Sequence, residues 1–110
     1  MKDDNRIRSF DAFYGYYLSE HQNRTCRALH FTGTLLVFVL SFLALYLSET
    51  YLWWFVPVMG YGFAWVGHFF YEKNKPATFK YPLWSLASDF RMFFELLIGK
   101  ISFDGQRDKA

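Results

Sequence analysis

Two uncharged apolar stretches, separated by only three residues, constrain this chain more than any other feature. The first runs from Phe31 to Leu47 and the second from Tyr51 to Phe70. A helix that crosses a bilayer needs about 20 apolar residues, within a range of about 17–25. The pattern therefore predicts two transmembrane helices joined by a tight turn at 48–50. Aromatic side chains typical of a membrane interface surround this turn, namely Tyr46, Tyr51, Trp53 and Trp54.

The segments on either side of this pair each carry an amphipathic helical pattern. From Ser9 to about Thr25, aromatic and aliphatic residues recur at helical spacing, and Ser9 is a suitable N-cap. From Leu83 to about Ile98 a second pattern ends at Gly99, a typical helix stop. We expect both helices to lie on the membrane surface or to pack under the spanning pair. The apolar stripe of the second consists of Leu83, Leu86, Phe90, Phe93, Phe94 and Leu97.

Composition supports one small membrane domain. The chain has 110 residues, of which 53% are hydrophobic and 24% aromatic. A small soluble core cannot hide that much apolar surface, because small domains have a high surface-to-volume ratio. The predicted fold is all-α: an integral membrane helical bundle with two transmembrane helices flanked by two amphipathic helices, in a single domain over residues 1–110.

The basic residues predict the orientation. The turn at 48–50 has none, whereas five precede Phe31 and seven follow Phe70. The positive-inside rule then places both termini in the cytoplasm, in the inner membrane of a bacterium or the endoplasmic reticulum of a eukaryote. These residues are scattered among acidic ones, which argues against a nucleic-acid partner. The charged N-terminus is not a secretory signal peptide.

Small residues in the second stretch predict a close-packing surface. Two spanning helices make a thin bundle, and Gly60, Gly62 and Gly67 would let another helix approach closely. We therefore expect a homodimer.

The three histidines are the strongest candidates for chemistry. His21 precedes the first apolar stretch, His30 lies at its entrance, and His68 lies at the end of the second. The predicted topology thus brings all three to one membrane face. Glu72 follows His68 by one helical turn, and histidines with a carboxylate suit a divalent transition metal such as Fe(II) with open positions.

Two questions about this site stay open at the sequence level. His21 and His30 are nine residues apart, which is about half a circle on one straight helix. They share a metal only if the backbone bends between them or if they belong to different elements. The histidines could instead be interfacial groups that hydrogen-bond to backbone or lipid headgroups.

Polar residues near the histidines are candidate binding groups. Asn23, Arg24 and Arg27 could bind the carboxylate or phosphate of a substrate, and contact with lipid phosphates accounts for them equally well. Glu20 and Asp89 could orient a histidine by accepting a hydrogen bond from its ring N–H, or they could be solvated charges.

Two motifs resemble those of a known family. Residues Tyr17 to Thr34 contain His-x-Asn followed by Leu-His-x-x-Gly, and Gly67 to Gly99 contain Gly-His-x-x-x-Glu-Lys-Asn-x-Pro-Ala-Thr. Both segments resemble the DUF962 family, also called Mpo1-like proteins. Together they contain every histidine of the chain.

The resemblance implies an Fe(II)-dependent dioxygenase that shortens 2-hydroxy fatty acids by one carbon in α-oxidation. His21, His30 and His68 would then be the iron-binding and catalytic histidines, with O2 and a 2-hydroxy fatty acid as substrates. Glu72 joins this set from its spacing alone. The alternative function is a non-catalytic membrane protein, for lipid binding or assembly, whose histidines are structural.

Overall fold

The computed structural model describes residues 7–76 and 80–105 and contains helices but no strands in that part of the chain. The all-α prediction is thus confirmed. A π-helical segment at Gly67–Glu72 follows the helix Leu52–Val66 without a break. The α-helices are α1 (Phe10–Ser19), α2 (Arg24–Leu47), α3 (Leu52–Val66) and α4 (Pro82–Leu97). Residues 77–79, between the π-helical segment and α4, lie outside the described residues and include the Ala and Thr that end the second motif.

The first predicted helix is wrong at its C-terminal end. Ser9 caps α1 as expected, because its Oγ accepts a hydrogen bond from the Ala12 amide at 3.2 Å. However, α1 ends at Ser19 and a new helix starts at Arg24. The Asn23 side chain caps α2 by accepting hydrogen bonds from two backbone amides of its first turn. His21 therefore lies in a break between two helices.

An antiparallel hairpin of α2 and α3 forms the centre of the fold. After α2, Ser48 adopts the left-handed conformation with φ 56°, and α3 starts at Leu52, close to the predicted turn. A Cβ added at Gly33 would lie 3.0 Å from the carbonyl oxygen of Met59 and 3.0 Å from Cβ of Phe63. The two backbones are therefore in contact midway along the hairpin. The histidines lie towards its open end, away from the turn.

The glycines of α3 pack mostly inside the chain. A Cβ on Gly60 would meet Val37 at 3.2 Å, and a Cβ on Gly67 would meet the Cys26 sulfur at 2.9 Å. Gly62 has nothing within 4 Å. Two of the three glycines assigned to a dimer surface thus face α2 of the same chain. The homodimer itself stays a prediction.

Only α2, among the helices of the described residues, is long and apolar enough to cross a membrane by length and composition. The α-helical part of the second stretch, α3, has 15 residues before the π-helical segment begins. The structure therefore does not confirm the predicted second span.

The helix pair α1 and α4 packs through aromatic and polar side chains. The Tyr14 hydroxyl donates to Glu95 Oε1 at 2.7 Å, and the Tyr17 hydroxyl donates to Asp89 Oδ1. Most of the predicted apolar stripe of α4 is exposed, including Leu83 and Leu97, because α1 packs instead against the face that carries Met92, Glu95 and Leu96. Gly99 has φ 79° just after the helix, which confirms the predicted stop. The buried core consists of Phe13, Tyr14, Tyr17, Tyr81, Met92 and Leu96.

The close approach of α2 and α3 predicts how glycine substitutions change the free energy of unfolding. Gly33→Ala should lower the free energy of unfolding by about 1–3 kcal/mol, because its Cβ meets backbone and a Cβ that cannot rotate away. Gly62→Ala is the matched control and should be neutral or stabilising by up to about 1 kcal/mol, since its Cβ enters open space within a helix. Unfolding in detergent, followed by circular dichroism, measures both. A Gly33→Ala protein as stable as the Gly62→Ala protein would contradict the close approach.

Candidate metal centre

Three histidines from three separate elements meet in the interior. His21 comes from the break before α2, His30 from α2 and His68 from the π-helical segment. Each offers a ring nitrogen within 4.8 Å of those of the other two. None is more than 4% exposed. The break between α1 and α2 resolves the question of spacing, because His21 and His30 do not belong to one straight helix.

Backbone carbonyls fix the rings of two of these histidines. His21 Nδ1 lies 2.6 Å from the Tyr17 carbonyl oxygen, and His30 Nδ1 lies 2.9 Å from that of Cys26. A carbonyl only accepts, so each Nδ1 carries the proton and donates it. In the neutral ring, Nε2 then has the free lone pair.

His68 is held in the same way by a side chain. Its Nδ1 lies 2.7 Å from Asn74 Oδ1. The orientation of the Asn74 amide follows from its other end, because Nδ2 donates to the Glu20 carbonyl and carboxylate at 3.1 and 3.2 Å. Nδ1 of His68 is therefore the donor and its Nε2 also has a free lone pair. Glu20 supports the site indirectly, through Asn74.

The nitrogens of His21 and His30 face each other at short range. Their Nε2 atoms are 3.1 Å apart, and both carry lone pairs by the hydrogen bonds just described. Two such lone pairs repel unless a cation lies between them. Two nitrogens bound at right angles to one ion, each about 2.1 Å from it as for zinc, would be about 3.0 Å apart. The chemistry and the spacing of these donors therefore fit a shared metal ion.

The electrostatics keep His21 neutral. Burial lowers its pKa well below the ordinary value, and the neighbouring His30 and His68 lower it further. A neutral imidazole is the form that binds a metal. His21 is thus ready to bind a cation at neutral pH without first losing a proton.

A tyrosine links this centre to α4. The Tyr17 ring stacks on His21 with centroids 3.9 Å apart, and its hydroxyl donates to Asp89. Burial raises the pKa of Asp89 to about 7, although the bond from Tyr17 opposes the shift. Asp89 is therefore not the solvated charge that one reading of the sequence allowed.

Glu72, which the spacing suggested as a fourth ligand, lies outside the histidine group. Its Oε2 accepts a hydrogen bond from the Asn23 backbone amide at 2.6 Å. The metal-ligand group found among the described residues consists of the three histidines. Glu72 thus ties the π-helical segment to the start of α2.

The three candidate binding residues near His21 have other contacts. Arg27 is fully buried, and its guanidinium donates to the carbonyls of His21 and Ser102. Arg24 is exposed and pairs with Asp104 at 3.9 Å. Asn23 caps α2. The contacts described for these side chains are with backbone groups and with Asp104 rather than with the histidine nitrogens.

An apolar cavity lies between α2, α3 and α4 and extends to His30, one of the three histidines. It has a volume of about 260 Å³. His30 belongs both to this wall and to the histidine group, so the cavity and the candidate metal site meet there. The other lining residues are mainly apolar; they are Thr34, Val37, Val56, Pro57, Gly60, Tyr61, Ala64, Leu86, Asp89 and Phe90.

Sequence reasoning missed two residues that support the site. Asn74 holds His68, and its signal was its place in the Gly-His-x-x-x-Glu-Lys-Asn motif. Tyr17 falls within the amphipathic helical pattern predicted from Ser9, although its hydroxyl and ring both contact polar groups of the site. Neither role follows from helical periodicity.

Comparison with known proteins identifies the family. A protein-family model described as 2-hydroxy-palmitic acid dioxygenase Mpo1-like matches residues 7–101, which is most of the chain. Comparisons with curated proteins and with solved structures gave no match. The match spans all three histidines, both of their motifs and the residues that hold their rings, and the chain therefore belongs to the Mpo1-like family.

Proposed function

We propose that this protein is an Fe(II)-dependent dioxygenase that shortens 2-hydroxy fatty acids by one carbon in α-oxidation. The observation that carries the proposal is the convergence of ring nitrogens from three buried histidines beside an apolar cavity. The family description supports it, because it names a 2-hydroxy-palmitic acid dioxygenase. Structural histidines would not need to hold two free lone pairs 3.1 Å apart beside a third buried ring.

The donor set fits iron. Imidazole is a suitable ligand for iron, zinc, copper and nickel. The family description names a dioxygenase, an activity that suits a redox-active metal, and iron is the metal that we propose among these. When bound, Fe(II) would supply the open positions and the redox chemistry for O2 and the head of the hydroxy acid. The chain's own part is to aim the three rings through their Nδ1–H bonds and to keep bulk water away from them.

The cavity supports a fatty-acid substrate. Pockets for such ligands are mostly apolar with a few polar groups that fix orientation. Because His30 lies in the cavity wall, a ligand's polar head can reach the histidines while its chain lies between α2, α3 and α4. The overall reaction balances without another reductant: the C1–C2 bond breaks, and one hydroxy acid and one O2 give the shortened acid, CO2 and water.

A membrane location fits both the substrate and the surface. The side chains around the turn are strongly exposed, with Leu45 at 71% and Trp54 at 77%. Together α3 and the π-helical segment run from Leu52 to Glu72, a length close to that of α2. We propose that both helices of the hairpin are embedded in the bilayer, with α1 and α4 at its cytoplasmic face.

This placement predicts the behaviour of the protein in cell fractions. It should stay in the membrane pellet after washing with alkaline carbonate and should need detergent for release, because lipid covers the exposed apolar side chains. Fractionation followed by immunoblotting measures this. Release by carbonate alone would contradict an embedded hairpin.

The metal content tests the proposed activity. Protein purified anaerobically in detergent should hold about one iron per chain, and His21→Ala, His30→Ala and His68→Ala should each lose it, because three ligands share one ion. Glu72→Gln is the matched control and should retain its iron, since Glu72 contacts the Asn23 amide rather than the histidines. Elemental analysis measures the iron, and mass spectrometry of products from 2-hydroxyhexadecanoate measures chain shortening.

Two results would contradict the proposal. One is wild-type protein that binds no metal even when iron is supplied, which would favour the non-catalytic lipid-binding alternative. The other is iron-loaded protein that binds 2-hydroxyhexadecanoate but never shortens it under O2.

A further inference from the structure

A carboxylate lies in the wall of the apolar cavity. Asp89, on α4, lines this cavity together with His30. The remaining polar side chains of the lining are Thr34 and Tyr61, which carry hydroxyl groups. Burying a carboxyl group beside apolar surface is costly unless it has hydrogen-bond partners. Its position therefore calls for an explanation beyond the packing of α4.

Tyr17 holds Asp89 on the side of the metal centre. The Tyr17 hydroxyl donates to Asp89 Oδ1, and its ring is fully buried against His21. The ring has no room to swing away, so the carboxylate is held in place with it. A carboxylate has two oxygens and about four acceptor positions, so one bond from Tyr17 leaves capacity to accept another.

The ligand class of the proposed function has a group that needs such an acceptor. A 2-hydroxy acid differs from an ordinary fatty acid by one hydroxyl on the carbon beside the carboxylate. Inside an apolar cavity this hydroxyl lowers affinity unless its proton finds an acceptor. A site with a buried acceptor can also reject the ligand that lacks the hydroxyl, because the acceptor is then left unpaired.

We propose that Asp89 accepts a hydrogen bond from the substrate's 2-hydroxyl and thereby selects 2-hydroxy acids over unhydroxylated fatty acids. This inference rests on the proposed function and adds a specificity-determining residue to it. In the competing structural role, Asp89 would serve only to join α4 to α1 through Tyr17. That role predicts equal effects on both kinds of acid.

Ligand binding separates these roles. Iron-loaded protein in detergent, kept anaerobic, is titrated with 2-hydroxyhexadecanoate and with hexadecanoate. Asp89→Leu removes both acceptor oxygens and should weaken binding of the hydroxy acid about ten-fold or more, the usual cost of leaving a buried hydroxyl without its hydrogen-bond partner. Binding of hexadecanoate should change by less than about two-fold. Asp11→Leu makes the same chemical change on an exposed residue of α1 and should alter neither affinity.

A measurement on the wild-type protein avoids any folding defect of the variant. Infrared difference spectra of protein labelled with ¹³C in its aspartate carboxyls should show a shifted carboxyl band when 2-hydroxyhexadecanoate binds. Hexadecanoate should not give this shift, because it has no hydroxyl to donate.

The outcomes distinguish this inference from the function on which it rests. Wild-type protein that binds neither acid, or holds no iron, would overturn the proposed function and the role of Asp89 with it. A preference for the hydroxy acid that survives in Asp89→Leu would overturn the role of Asp89 alone. An equal loss for both acids in that variant, or an unshifted carboxyl band in the wild type, would do the same.

Discussion

The site depends on three hydrogen bonds that hold the histidine rings at Nδ1, the nitrogen that is not offered to a metal. Each Nδ1–H donates to an oxygen, from the Tyr17 carbonyl, the Cys26 carbonyl or the Asn74 amide. These bonds fix the orientation of each ring, place its proton on Nδ1 and leave a free lone pair on Nε2. The Nε2 atoms of His21 and His30 are 3.1 Å apart, and a ring nitrogen of His68 lies within 4.8 Å of theirs. Metal-binding histidines commonly have such partners, which fix ring orientation and raise the basicity of the ligand. The three donors are therefore organised for a cation by the protein itself.

The rest of the fold places those partners. The contact of Gly67 with Cys26 brings the π-helical segment against the start of α2, where His30 lies one turn further on. Buried Arg27 holds the His21 carbonyl, and so the break that carries His21, against α2. The same hairpin, with α4, encloses the apolar cavity that ends at His30. The hairpin together with α4 thus positions the metal donors, shields them from bulk water and forms a cavity suited to a fatty-acid chain.

Sequence patterns predicted the helices and the meeting of the histidines, because apolar periodicity and a hairpin topology determine both. They missed the break that separates His21 from α2, which depends on the Asn23 cap rather than on hydropathy. The pairing of His68 with Glu72 was predicted from spacing alone, whereas the Glu72 carboxylate accepts a hydrogen bond from the Asn23 amide. Asn74 as a partner of His68 likewise depends on the chain path beyond the π-helical segment. Helical spacing cannot show where an irregular backbone brings a side chain.

The orientation of the three rings is tested most directly by nuclear magnetic resonance. Protein with ¹⁵N-labelled histidines is loaded with ¹¹³Cd(II), a diamagnetic ion that binds imidazole nitrogen. Our account predicts one cadmium signal coupled to Nε2 of His21, His30 and His68, with the proton on Nδ1 of each ring. Coupling through any Nδ1, or a histidine of the three that stays uncoupled, would contradict a shared centre built from these donors.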